Sequence, residues 1–179
     1  MSTYASCSIE NGQIILNAGL YYAHEDWSKL KEEDKKKIKK FLPLPARLLL
    51  DTGASCSCIC KSQLQPFKDL GLLPRETISI LTPSTGTNSA QRDSYEMGLL
   101  VGGHINIEPH IEVSVLLVET DFTGQNIDGL LGMDILEHCH MSFSGINKTC
   151  FLSFHDVIPP MKANKVPPLG VEGDALKGL

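Results

Sequence analysis

Along most of this chain apolar and polar residues alternate with a period of two, the spacing of side chains on a half-buried strand. Residues 7–9 and 13–17 read as two strands joined at Asn11-Gly12, a dipeptide that accepts the positive φ angles of a tight hairpin turn. Residues 46–50 form an apolar strand, and residues 77–81 and 95–101 form two more. Ile105 with Ile107, and then Ile111, Val113 and Val115, repeat the alternation, and residues 150–154 make a last strand. Turn formers separate these runs, most densely across residues 82–89 and at Gly102-Gly103.

Helical spacing is rarer. Trp27, Leu30, Ile38 and Phe41 recur near a period of 3.6, and Glu32 with Lys36, and Glu33 with Lys37, pair across one turn. That segment reads as a mostly solvated helix ended by Pro43 and Pro45. Short helices are also expected near residues 64–70 and at the end of residues 127–136. The pattern predicts a mainly β fold of many short strands. Residues 1–43 are expected to form a hairpin and solvated-helix extension, and residues 44–154 the core domain. Residues 155–179, with Pro159, Pro160, Pro167 and Pro168 and few large apolar groups, are expected to be a loosely ordered tail.

Composition narrows the partners. A formal net charge of -5 argues against general attraction to nucleic acid or anionic membrane. No apolar run approaches the roughly 20 residues that span a bilayer. The first ten residues lack the basic and then long apolar segments of a secretory signal, and the six cysteines suit a reducing compartment, so a cytoplasmic protein is expected. Cys56, Cys58 and Cys60 alternate, but their one-residue spacing fits no structural zinc motif; small buried thiols are the default, and neither a metal nor another cofactor is expected.

The segment Leu48-Leu49-Leu50-Asp51-Thr52-Gly53-Ala54-Ser55 departs from ordinary strand chemistry. A carboxylate placed directly after three leucines is held at the mouth of an apolar core, where an unpaired charge is costly. Gly53 permits a sharp turn and close approach of a ligand, and Thr52 supplies a hydroxyl. A plain turn after a buried strand would use the same residues, and such a triplet arises by chance in roughly one chain of this size in ten to twenty. A second segment about eighty residues on, Ile127-Asp128-Gly129-Leu130-Leu131-Gly132-Met133-Asp134, sets two apolar residues and a glycine ahead of a short helix.

Together the two segments resemble the retropepsin family, the aspartic peptidases of retroviruses and their cellular and bacterial relatives. Leu48 to Ser55 matches the family's catalytic motif, Leu130-Leu131-Gly132 matches its second motif, and the turn-rich loop of residues 82–89 lies where its flap belongs. The resemblance implies a closed β-barrel of the acid-protease half type with one short C-terminal helix, here with an N-terminal helical insertion. It implies Asp51 as the catalytic group, Thr52, Gly53 and Ala54 as the active-site loop, and Thr82, Ser84, Thr85 and Gly86 as flap residues that bind substrate. Ser55 and Met133 stand where many viral members carry an ion pair; both partners are missing together, so packing is expected to hold that place.

Water-mediated peptide hydrolysis needs two carboxyl groups, one ionised and one protonated. The chain carries one Asp-Thr-Gly, because Asp128 is followed directly by glycine and Asp69 by leucine. Two-fold symmetry supplies the second, so the expectation is a homodimeric aspartic endopeptidase acting on a peptide or protein substrate. The alternative is the same dimeric fold used as a non-catalytic peptide-binding module.

Overall fold

The computed structural model describes residues 4–22, 31–33, 36, 43–80, 89–101 and 111–154. The expected flap residues, the tail and most of the expected N-terminal helix lie outside the described residues. Strands β1 (Tyr4–Glu10) and β2 (Gln13–Tyr21) form the expected hairpin. Asn11 and Gly12 take φ of 50° and 79° at its turn. β3 (Leu44–Leu50) follows, then β4 (Cys58–Cys60), helix α1 (Lys61–Lys68) and β5 (Glu76–Ile80). β6 (Ala90–Val101) and β7 (Ile111–Thr120) form a long antiparallel pair. β8 (Gly129–Leu131), helix α2 (Met133–Leu136), β9 (Cys139–Ser144) and β10 (Thr149–Phe154) complete the described chain.

The fold is mainly β, and six strands close on themselves. β6, β7, β4, β8, β3 and β2 are hydrogen-bonded in that order, and β2 returns to β6 through the pairing of Ala18 with Val101 and its neighbours. Closure removes the open edges an isolated sheet would expose. β1, β10 and β9 extend from β2 as an antiparallel flap of sheet, so the first and last described strands lie side by side.

β3 explains the run of leucines. Ala46, Leu48 and Leu50 point into the main core with Leu16, Leu20, Leu99 and Leu131, while Leu49 packs on a second cluster of Ile15, Cys58, Val118, Phe122 and Ile127. The end of β3 that is covered on both faces, Leu48 to Leu50, has no polar side to show, hence the unbroken run of leucines there.

Several strands run beyond the alternation, β2 to Tyr21 and β7 to Thr120 among them, and two further elements show why. β6 begins at Ala90 rather than residue 95, because its first residues pair with β5 at the exposed margin, where polar side chains carry no core signal. β9 was not foreseen at all: no residue of Cys139–Ser144 is fully buried, so it is held by its ladder with β10 instead of by a core stripe.

Leu48 is fully buried between the barrel walls. Leu48→Ala is expected to lower stability by about 2–5 kcal/mol, the range for a buried leucine truncated in a close-packed core, as measured by urea unfolding.

Candidate active site

β3 and β8 run parallel, with Leu48, Leu49 and Leu50 opposite Gly129, Leu130 and Leu131. Both strands end at the same level, and there the chain turns through residues 51–54. The Asp51 N–H donates to Leu131 O at 3.0 Å, continuing the ladder one step, and the Ala54 N–H closes the turn onto Asp51 O at 3.2 Å. The Gly53 N–H donates to Asp51 Oδ1 at 2.9 Å, which fixes the carboxylate over its own turn. Asp51 is half-buried, and Thr52 and Gly53 are exposed at the tip.

The second motif lies under this loop. The Met133 N–H donates to Ala54 O at 2.8 Å. A Cβ on Gly132 would stand 2.7 Å from Cys56 O and 2.9 Å from Ala54 O, so only glycine lets the two backbones approach this closely. Gly129 is as confined, with Cys58 O at 2.4 Å from where its Cβ would be.

A polar link, which no local pattern in the sequence marks, joins the same two segments. The fully buried Ser57 donates its hydroxyl to Asp134 Oδ1 at 2.7 Å and its N–H to Asp134 Oδ2 at 2.9 Å, while the Gly132 N–H donates to Ser57 Oγ at 3.0 Å. Ser55 and Met133 predict that packing holds this place. The structure sets the link two residues and one residue further along. Its only sequence signal was the acid following Gly132-Met133. Burial raises the Asp134 carboxyl above the ordinary range, and the two hydrogen bonds from Ser57 offset that in part.

Asp128, the other carboxylate of the second motif, is also engaged. Its Oδ2 accepts the Arg47 N–H at 2.8 Å, and its own N–H donates to Arg47 O at 2.8 Å. Arg47 reaches on to Glu10 at 2.7 Å, which holds the Glu10 carboxyl below its usual range. Asp51 is therefore the carboxylate of the two motifs whose described hydrogen bonding is confined to its own loop.

Cys56, Cys58 and Cys60 flank the site. Hydrogen bonding from Cys58 lowers the Cys56 thiol, while the Cys58 thiol is pushed well up. Among the described residues no group of three or more His, Cys, Asp or Glu could hold a metal ion. Thr82, Ser84, Thr85 and Gly86 lie outside the described residues.

With this geometry in view, the chain is similar to a solved structure of a retropepsin-like aspartic protease from Rickettsia conorii. The two share 15% identity, with 84% of this chain and 99% of that chain covered and a TM-score of 0.47. No protein-family profile matches the chain, and no curated protein does.

Asp134 sets a pH signature. Below its unfolded value of about 3.9 both folded and unfolded chains hold the proton, and its favourable contribution is complete. As pH rises through the higher folded value, the folded chain must ionise a buried group and that contribution is lost. Urea unfolding across this window is expected to show a fall in stability with rising pH that Asp134→Asn lacks, superposed on the opposite trend from Glu10 and Asp121, whose carboxyls are held low.

Proposed function

We propose that the chain is an aspartic endopeptidase whose active site forms between two copies, each contributing Asp51. The observation that carries this reading is the placement of Asp51: a carboxylate at the end of a fully packed parallel strand pair, its backbone fixed by Leu131 and its side chain by Gly53, with its loop tip exposed. The neighbouring carboxylates Asp128 and Asp134 hold the framework, which leaves the second catalytic carboxyl to a symmetry mate.

In the dimer the two Asp51 carboxyls share one proton, because like charges about 3 Å apart resist joint ionisation. The ionised partner takes a proton from a water as the water attacks the peptide carbonyl. The protonated partner donates to the carbonyl oxygen and stabilises the tetrahedral intermediate. Thr52 and Gly53 shape the loop at the two-fold axis, with Ala54 behind them, and Thr82, Ser84, Thr85 and Gly86 close over an extended peptide. No metal or other cofactor enters the reaction. The catalytic domain takes in residues 44–154 together with the hairpin of β1 and β2, since β2 is one of the six barrel strands, and the tail 155–179 follows it. A reducing, cytoplasmic setting is supported by six free thiols, and no helix among the described residues is long and apolar enough to cross a membrane.

Asp51→Asn is expected to fold and associate as the parent chain does while cleaving a degenerate peptide library at a rate lowered by several orders of magnitude; an active Asn variant would refute the assignment. Specific activity of the parent is also expected to drop on dilution below the dimer dissociation constant, with sedimentation reporting monomer over the same range.

A further inference from the structure

Cys7 on β1 and Cys150 on β10 stand directly opposite each other in an antiparallel ladder. Both side chains point into the core, at 5% and 0% exposure. The two thiols are near enough that each influences the other's titration. Directly opposed residues of such a ladder have Cα atoms about 4.5–5.5 Å apart, inside the range a disulfide spans without moving the backbone. Cys56 and Cys58, the other close pair, are two apart in one chain segment. Joining them would require the backbone at the buried Ser57 to fold back on itself.

We propose that Cys7 and Cys150 are a latent disulfide site, which an oxidising low-molecular-weight disulfide converts to a covalent staple between the first and last described strands. One protein thiolate attacks a sulfur of the oxidised compound and expels one equivalent of its thiol, leaving a mixed disulfide. The second protein thiolate attacks the protein sulfur of that intermediate and expels the other. Two protein thiols are oxidised, one disulfide compound is reduced to two thiols, and the protons leave with them.

Burial pushes the Cys7 thiol up to about 12 and also raises Cys150. The thiolate is scarce at neutral pH, so the staple forms slowly in a reducing cytoplasm and faster under alkaline or oxidising conditions. Once made it closes a loop containing nearly all of the barrel, the geometry in which a cross-link restricts the unfolded chain most. It lies on the sheet extension, with β2 standing between β1 and β3, so it acts on endurance and not on turnover.

The test uses the full chain, unfolded in urea and refolded with oxidised glutathione at about pH 8.5, and in parallel the folded chain given the same oxidant. Non-reducing digestion and mass spectrometry are expected to recover a peptide containing Cys7 joined to one containing Cys150. The melting temperature should rise by about 10 °C and return on reduction. In the folded arm the rate should climb about tenfold per pH unit. Cys7→Ala and Cys150→Ala should each abolish the linked peptide and the rise. Refolded protein with both thiols free, predominant linkage of either to another cysteine, or a linked peptide without a higher melting temperature would overturn the proposal. None of these readouts depends on catalysis, so they stand or fall apart from the peptidase reading.

Discussion

The structure turns on the contact between the Asp51 loop and the strand pair beneath it. Leu131 O receives the Asp51 N–H, Ala54 O receives the Met133 N–H, and Gly132 sits so close to Cys56 O and Ala54 O that no side chain fits between. A turn of four residues with two exposed members has little stability of its own. Here it inherits the rigidity of a closed six-strand barrel, because β3 and β8 are buried on both faces and cannot shift without opening the core. Rigidity at that point is what the proposed pair of Asp51 carboxyls would need, since positional errors of an ångström are costly in general acid–base chemistry.

Polar and apolar constraints divide the work there. Packing fixes β3 against β8, and the Ser57–Asp134 link fixes the return of the chain after the loop. Each of the three hydrogen bonds in that link satisfies a group that would otherwise be stranded in the core, including the Gly132 N–H. The link tolerates an acid that burial disfavours because Ser57 offers both of its donors to it.

What could be read in the sequence followed from how local each signal was. The Asn11-Gly12 turn, the leucine run of β3 and the Leu130-Leu131-Gly132 segment are set by short-range chemistry, and the described structure has the corresponding turn and strands. Ser57 and Asp134 escaped notice because their meaning is a pairing across 77 residues, and a serine beside cysteines carries no mark of it. β9 escaped because an edge strand held by backbone bonds needs no hydrophobic period, and Met141 and Phe143 are left largely uncovered. The partnership of Cys7 with Cys150 depends likewise on register, which alternation along one strand cannot supply.

The distance in sequence between Asp51 and its supports has a consequence for how the protein is made. A chain emerging from the ribosome exposes Asp51 long before Leu131, Gly132 and Asp134 have been synthesised, and β1 waits longer still for β10. Contacts of such separation form late and together. Nascent chains therefore carry the Asp51 loop without its supports until nearly the whole domain has left the tunnel.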